Sequence, residues 1–319
     1  MMKLCILDWS TVSSGDISSD IFSEFGEVNC VPLCKNEDVS QVIADSNIVL
    51  CNKVLITHEV MESCRDLKYI GLFATGYNNI DIEAARKHGI TVCNAGSYST
   101  YAVAQQTFSY ILHYTNRIHE YDSFVKKGGW IGSDTFSKFP IPTGELLGKT
   151  LSIIGFGSIG RAVAGIASAF GMRVTVNTRT KPDNCPYELV SLEEAFSQGD
   201  FVTVHCPLTP ETQGLINARN LSLMKKTAVV INTARGGITD EEALAQALSS
   251  GSIAAAYTDV LVNEPMCDST PLKNAPNCII TPHCAWAPLE TRQRLVQIVM
   301  DNIRGFLKKK PMNVVGNTA

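Results

Sequence analysis

The sequence predicts an α/β fold with two doubly wound parallel sheets, in which one domain is inserted into the other. Short apolar runs alternate with longer amphipathic stretches, which is typical of βαβ units and parallel sheets. A glycine-rich turn, Gly155–Gly160, lies near the middle of the chain and not near its start. The chain has 319 residues, more than one core usually holds, so two domains are expected.

The N-terminal part of the chain contains four predicted strands. They are Lys3–Leu7, Ile48–Cys51, Tyr69–Phe73 and Thr91–Cys93. A helix is predicted between the last two strands, over Asp81–His88, because Asp81 can cap its N-terminus and Gly89 can end it. This alternation of strands and helices predicts a first parallel sheet.

A second series of strands begins at Thr150 and predicts a six-stranded sheet. The strands are Leu151–Ile154, Arg173–Val176, Phe201–His205, Ala228–Asn232, Ala254–Thr258 and Cys278–Ile280. A long helix from Tyr101 to about Tyr121 is predicted before this series, and another from Pro288 to about Leu307 after it.

This order of elements predicts the domain boundaries. Residues 101–285 would form the inserted domain, and residues 1–100 together with 286–319 would form the other. The chain would then cross twice between the domains, which favours a hinged cleft that could enclose a substrate.

Composition excludes several classes of protein. The net charge of −4 is too small to indicate nucleic acid or an anionic membrane as a partner, and no run of eighteen apolar residues predicts a membrane span. The N-terminus is interpreted as a strand and not as a signal peptide. The 11 cysteines lack Cys-x-x-Cys spacing, so we expect reduced thiols in a cytoplasmic protein and neither disulfides nor a metal site.

The glycine-rich turn predicts a dinucleotide site. It follows a predicted strand and precedes an amphipathic helix over Arg161–Phe170. Gly155 would allow the tight turn, Gly157 would let the backbone approach a pyrophosphate, and Gly160 would let the helix pack closely on the strand. A glycine-rich turn without a ligand is the alternative, and the flanking strand and helix disfavour it.

The end of the next strand bears on which dinucleotide is bound. Sites for NAD usually have an acidic residue about 20 positions beyond the glycines. Thr178 stands eighteen residues past Gly160, and Arg179 and Lys181 follow it. Two cations without a carboxylate favour NADP(H), because they could pair with a 2′-phosphate, while NAD(H) stays open. Arg179 could instead be a solvated loop cation.

Three ionisable residues follow strands of the second series and could perform ketone reduction. Arg235 could hold a carboxylate and polarise the adjacent carbonyl, and His283 could deliver a proton. Glu264 would favour the charged form of His283. Each residue alone could be structural, but the carboxyl ends of parallel strands share one edge, where the three would converge. His205 also ends a strand and is expected to line the cofactor crevice.

The motifs of this chain resemble those of the D-isomer-specific 2-hydroxyacid dehydrogenases over nearly its whole length. The family-like segments are Ala74-Thr75-Gly76-Tyr77-Asn78-Asn79-Ile80-Asp81, Gly155–Gly160, His205-Cys206-Pro207-Leu208-Thr209, Asn232–Gly237, Asp259–Pro265 and Thr281–Trp286. Within the family the loop at Ala74, Ala102-Val103-Ala104-Gln105 and Pro282–Ala287 look most like the glycerate dehydrogenase (hydroxypyruvate reductase) group.

The resemblance implies a Rossmann-like fold and a set of site residues. The catalytic residues would be Arg235, Glu264 and His283. The substrate would be bound by Arg235, His283 and the loop Ala74, Thr75, Gly76 and Tyr77, whose backbone amides would bind part of its carboxylate. Besides the three glycines, the cofactor would contact Ser158, Ile159, Thr178, Arg179, Cys206, Pro207, Thr212, Thr233, Ala234, Asp259 and His283. Thr178 departs from the acidic residue of many members, which puts an NAD preference in doubt.

The resemblance also implies an activity and an assembly. The expected reaction is reduction of hydroxypyruvate or glyoxylate to D-glycerate or glycolate by a homodimer that associates through the cofactor domain. Another 2-oxoacid, such as pyruvate or a longer one, stays open because one methylene contributes only about 1–3 kcal/mol of discrimination. A dinucleotide-sensing, corepressor-like binding protein also stays open, because such proteins can keep the catalytic residues.

Overall fold

The computed structural model describes residues 2–316, and the chain divides into two compact units. The inserted unit is Thr100–Trp286, and the outer unit joins the chain up to Ser99 with the chain from Ala287 onward. Each unit contains one parallel sheet with helices on both faces. This arrangement confirms the predicted fold class of two Rossmann-like doubly wound domains, one inserted into the other.

The helices and strands of residues 2–316 are numbered in chain order. The strands are β1 (Lys3–Ile6), β2 (Glu27–Cys30), β3 (Ile48–Cys51), β4 (Tyr69–Leu72), β5 (Thr91–Cys93), β6 (Thr150–Ile154), β7 (Arg173–Asn177), β8 (Glu188–Leu189), β9 (Phe201–Val204), β10 (Val229–Asn232), β11 (Ala255–Thr258) and β12 (Cys278–Ile280). The helices are α1 (Val39–Val42), α2 (His58–Ser63), α3 (Ile82–Lys87), α4 (Thr100–Asn116), α5 (Ile118–Lys126), α6 (Ser158–Ala169), α7 (Leu192–Gln198), α8 (Ala218–Ser222), α9 (Glu241–Ser249) and α10 (Leu289–Leu307).

The outer unit has a five-stranded sheet in the order β2-β1-β3-β4-β5. Alternate residues such as Val49 and Ile70 pack against α1, α2 and α3 on one face. On the other face Tyr69 of β4 contacts Phe306 of α10, with ring centroids 4.9 Å apart. The cap of α3 is as expected, because the Asp81 carboxylate accepts the Ala84 amide at 2.9 Å.

The inserted unit has a seven-stranded sheet in the order β12-β11-β10-β9-β6-β7-β8. Successive residues Ile153 and Ile154 of β6 point to opposite faces, one toward α4 and α6 and the other toward α7, α8 and α9. The strand order reverses between β6 and β9. Ligands of such sheets bind beside this reversal, at the carboxyl ends of the strands.

Three features differ from the sequence prediction. The edge strands β2 and β8 were not predicted, because neither contains a run of apolar residues. The long helix expected over Tyr101–Tyr121 is two helices, broken at Arg117, whose φ of 52° is left-handed. The apolar periodicity continues across this break, so the pattern does not reveal it. Among residues 2–316, no helix combines the length and the apolar character needed to cross a membrane.

Candidate active site

The glycine-rich turn joins β6 to α6 at the point where the strand order reverses. A Cβ atom on Gly155, whose φ is +95°, would lie 2.5 Å from the Cys206 amide nitrogen, and one on Gly160 would lie 2.3 Å from the Gly155 carbonyl oxygen. Gly157 precedes α6 and faces open space, with no atom within 4 Å of its ideal Cβ position. A turn that is crowded at its base and open at the helix N-terminus suits a dinucleotide pyrophosphate.

The position predicted to recognise the ribose lies just after β7. Thr178 follows the last strand residue, and its hydroxyl donates to the Thr180 carbonyl oxygen at 3.4 Å. Arg179 is exposed. The pKa of Glu211 is lowered first by the Thr209 side chain and further by the charge of Arg179. The contact of this exposed cation with a cofactor phosphate stays a prediction.

The structure pairs His283 with Glu264. The Nδ1 atom of His283 lies 2.7 Å from Oε2 of Glu264, although the two residues are 19 positions apart. The other carboxylate oxygen of Glu264 accepts the Leu261 amide at 2.9 Å. Because Nδ1 faces the carboxylate, Nε2 is the ring nitrogen left to exchange a proton with a substrate. The side chain of His283 is 24% exposed, so it is accessible.

The backbone of His283 has a conformation that needs support. Its φ of 51° is left-handed, which costs a non-glycine residue free energy. Asp259 supplies the support, because its carbonyl oxygen accepts the His283 amide at 2.8 Å. Its buried carboxylate accepts the amides of Cys284 and Ala285 at 2.9 and 2.8 Å. Asp259 was predicted to contact the cofactor; the structure shows that its carboxylate holds the histidine loop.

Arg235 lies in the turn after β10, and contacts of the backbone on both sides of it hold this turn in place. The buried side chain of Asn232 donates to the Arg235 carbonyl oxygen at 2.9 Å, and its oxygen accepts the Ala234 amide at 2.9 Å. A Cβ atom on Gly236 would lie 1.9 Å from the Leu261 backbone. The turn that carries Arg235 thus packs closely on the loop that carries Glu264. The roles of Asn232 and Asp259 were missed by the sequence reasoning, although both lie in motifs that it singled out.

His205 follows β9, directly beside the glycine turn. Its Nε2 atom lies 3.0 Å from the Thr203 hydroxyl, and its Nδ1 atom is buried without a hydrogen-bond partner among residues 2–316. Burial lowers the pKa of His205 to about 3, so the side chain is neutral at physiological pH. A neutral histidine fits the expected lining of a crevice and not proton transfer.

Other predicted cofactor contacts also lie at the carboxyl ends of the strands. Thr212 closes a turn, because its hydroxyl donates to the Pro207 carbonyl oxygen at 2.7 Å. Thr233 is buried, and its hydroxyl lies 3.5 Å from that of Thr107 on α4. Cys206 follows His205, and burial raises the pKa of its thiol. These contacts give each residue a structural role in the turns around the crevice; their contact with a cofactor stays a prediction.

The predicted substrate loop belongs to the outer unit. Ala74, Thr75, Gly76 and Tyr77 follow β4, and the Ala74 carbonyl oxygen accepts the Ala95 amide at 2.9 Å. The hydroxyl of Thr75 donates to the Gly96 carbonyl oxygen. The loop is thus tied to the segment that follows β5.

Comparison with known proteins shows the class to which this site belongs. The model of the D-isomer-specific 2-hydroxyacid dehydrogenase NAD-binding domain matches residues 108–285. The chain belongs to the D-isomer-specific 2-hydroxyacid dehydrogenase family, and its cofactor is a nicotinamide dinucleotide.

Particular relatives match the chain over most of its length. It is 38% identical over 324 residues to a hydroxypyruvate reductase of Blautia hydrogenotrophica, covering 98% of this chain and 99% of the relative. It is 39% identical over 281 residues to a glycerate dehydrogenase of Methylorubrum extorquens, covering 88% of each. The crystal structure of the TT0316 protein from Thermus thermophilus superposes with a TM-score of 0.88 at 34% identity, covering 98% of this chain and 100% of that one.

Proposed function

We propose that this protein reduces hydroxypyruvate to D-glycerate, and glyoxylate to glycolate, with NADPH as the preferred cofactor. The observation that carries the proposal is the contact of 2.7 Å between His283 and Glu264 at the carboxyl edge of the inserted sheet. The hydroxypyruvate reductase and glycerate dehydrogenase names of two relatives support the choice of substrate.

The residues of the chain divide the reduction between them. The bound nicotinamide supplies a hydride for the keto carbon. Arg235 pairs with the substrate carboxylate and polarises the neighbouring carbonyl. His283 donates the proton from Nε2 to the carbonyl oxygen, which becomes the hydroxyl of the product. Glu264 holds the imidazole by Nδ1 and stabilises its positive charge while it carries the second proton.

A spectrophotometric panel tests this function. We expect the highest kcat/KM for hydroxypyruvate among hydroxypyruvate, glyoxylate, pyruvate, oxaloacetate and a branched 2-oxoacid. A higher kcat/KM for pyruvate, oxaloacetate or the branched 2-oxoacid would show that the protein acts on another substrate within the family. If no 2-oxoacid were turned over with either cofactor while NADPH still bound, the sensing role of a corepressor-like protein would replace the proposed one.

The preference for NADPH rests on Thr178 and Arg179. We expect Thr178→Asp to lower kcat/KM with NADPH about tenfold or more and to favour NADH, because the new carboxylate repels a 2′-phosphate. Arg219→Ala, which removes an exposed arginine elsewhere on the inserted unit, is the matched charge control. A wild-type preference for NADH of tenfold or more would contradict this part of the proposal.

We also propose a homodimer that associates through the inserted unit. The most exposed large apolar side chains of the segment after α5 are Ile131 at 85%, Phe136 at 93% and Phe139 at 85%. Large apolar side chains with this degree of exposure are candidates for a protein interface. Sedimentation should give a dimer for the wild type and for Leu33→Ser, an exposed apolar control on the outer unit. Phe136→Ser combined with Phe139→Ser should give monomers, and an unchanged dimer would contradict the proposed surface.

The remaining predictions concern the partners and the cellular location of the protein. A small-molecule 2-oxoacid is the proposed partner, and a cytoplasmic location without a nucleic-acid or membrane partner stays a prediction from composition.

A further inference from the structure

The loop after β4 presents two successive amides that lack a partner within the described chain. Neither the Thr75 amide nor the Gly76 amide donates to any group of residues 2–316. Both residues lie at the carboxyl edge of the outer sheet, in the loop that follows the fully buried strand β4. Unpaired backbone N–H groups at such a position form an anion-binding concavity when they point in the same direction.

The contacts of the loop show that the two amides do point in the same direction. The carbonyl oxygen of Ala74 accepts the Ala95 amide at 2.9 Å, and the carbonyl oxygen of Thr75 accepts Nδ2 of Asn94 at 2.7 Å. In a trans peptide the C=O and the following N–H point in opposite directions. Both carbonyl groups point toward the segment after β5, so the amides of Thr75 and Gly76 both point away from it.

Asn94 breaks the alternation that an extended strand would continue. In a strand, successive carbonyl groups point to opposite sides, so the Thr75 carbonyl would point away from β5. The Asn94 side chain instead holds this carbonyl on the same side as that of Ala74. The Asn94 side-chain amide therefore holds the Thr75–Gly76 peptide in this orientation, while the Thr75 hydroxyl ties the side chain to Gly96.

Asn94 is itself held at every polar group. Its side-chain oxygen accepts the Gly96 amide at 3.1 Å, and its backbone amide donates to the Asn313 carbonyl oxygen at 3.1 Å. Its carbonyl oxygen accepts Nδ2 of Asn302 at 2.8 Å, and Asn302 is buried in α10. The Asn302 side-chain oxygen accepts Nδ2 of Asn313 at 2.8 Å. The C-terminal part of the chain thus fixes the orientation of Asn94.

We propose that Asn94 is the positioning residue of the carboxylate site: it turns the Thr75–Gly76 peptide so that two successive amides donate to the carboxylate of a 2-oxoacid. The inference deepens the proposed function and rests on it for the nature of the ligand. Asn94 touches no substrate atom in this role and acts through the backbone of the loop.

Kinetics of two Asn94 variants test the proposal. Asn94→Ala should raise the KM for hydroxypyruvate about fivefold to tenfold, the effect of one lost orienting hydrogen bond, with kcat within about twofold. Asn94→Asp should raise it further, because it keeps the acceptor for Gly96 but turns a carboxylate oxygen toward the Thr75 carbonyl. The Kd for NADPH should not change, because the glycine turn belongs to the other unit.

Asn47→Ala is the matched control. Asn47 lies at the amino edge of the same sheet, where its side chain likewise accepts one backbone amide, at 3.0 Å, and donates to one carbonyl oxygen, at 3.3 Å. Asn47→Ala should lower the Tm without changing the KM for hydroxypyruvate. If Asn94→Ala changed the KM no more than Asn47→Ala does, the role of Asn94 would be only structural.

A binding measurement separates this inference from the proposed function. In the ¹⁵N-labelled full chain, titration with glyoxylate should shift the amide signals of Thr75 and Gly76, and Asn94→Ala should weaken the apparent Kd about fivefold to tenfold. If glyoxylate shifted these amide signals but no 2-oxoacid were turned over, the proposed function would be contradicted and the proposed anion site would stand. If 2-oxoacids were turned over but glyoxylate did not shift these signals, the proposed anion site would be contradicted and the proposed function would stand.

Discussion

Two histidines follow parallel strands of the same sheet, yet only one has the surroundings of a proton donor. His205 follows β9, and its Nδ1 atom is buried without a partner among the described residues, while burial lowers its pKa to about 3. His283 follows β12, is partly exposed, and contacts Glu264 through Nδ1. Position at a strand end is therefore not enough to identify a catalytic histidine. A carboxylate partner and an exposed part of the ring distinguish the two.

The strand order explains the difference between the two histidines. β9 lies between β6 and β10 inside the sheet, whereas β12 is an edge strand. The residue after an interior strand is surrounded by neighbouring strands and by helices on both faces. The residue after an edge strand has a strand on one side only, and Glu264 lies on the loop that follows this neighbouring strand, β11, where its carboxylate contacts the His283 ring.

Replacing His283 should give the largest effect on turnover. We expect His283→Ala to lower kcat about 10²–10⁴-fold, the usual contribution of a general acid, while the Kd for NADPH changes little. Steady-state kinetics and a fluorescence titration of the cofactor measure the two quantities. His58→Ala, which removes an exposed histidine of α2, should leave both unchanged. A kcat for His283→Ala within threefold of the wild type would make the assignment of the acid wrong.

Removing the charge of Glu264 should give an intermediate effect. Gln can still accept a hydrogen bond from Nδ1 but lacks the charge that stabilises the imidazolium, so we expect Glu264→Gln to lower kcat about tenfold. The chain provides a matched control in His58 and Glu62, an exposed histidine–carboxylate pair 4.0 Å apart on α2. Glu62→Gln should leave kcat unchanged. Equal kcat values for the wild type and Glu264→Gln would show that the carboxylate does not support the acid.

The smallest effect is expected at His205, and it concerns stability. Because the folded-state pKa of about 3 lies below the unfolded value of about 6.5, only the unfolded chain takes up a proton between these values. The stabilising contribution of neutral His205 is therefore complete above pH 6.5 and is lost as the pH falls. Relative to His205→Gln, the wild type should lose about 1–2 kcal/mol of unfolding free energy between pH 7 and pH 5. Urea unfolding at both pH values measures this difference, and parallel losses in the two proteins would contradict the burial of a neutral ring.

Much of the fold follows from local patterns. The strands β3, β5 and β12 have the predicted bounds, because short apolar runs between turn residues are a local property. The glycine turn is equally local, since Gly155 needs a left-handed φ that few other residues adopt. The strands β2 and β8 were missed because neither contains an apolar run, and the break at Arg117 was missed because the helical period continues through it.

The sequence by itself determined the family, the two doubly wound sheets and the candidate residues Arg235, Glu264 and His283, because periodicity, glycines and motif order are read along the chain. Only the tertiary structure decided which polar groups meet. The contact of Glu264 with His283 spans 19 residues, and that of Asn94 with Asn302 spans 208. Such contacts depend on which strands lie side by side and on how the chain returns to the outer sheet. No local pattern contains this information, so the hydrogen bonds of Asp259 and Asn94 could be found only in the folded chain.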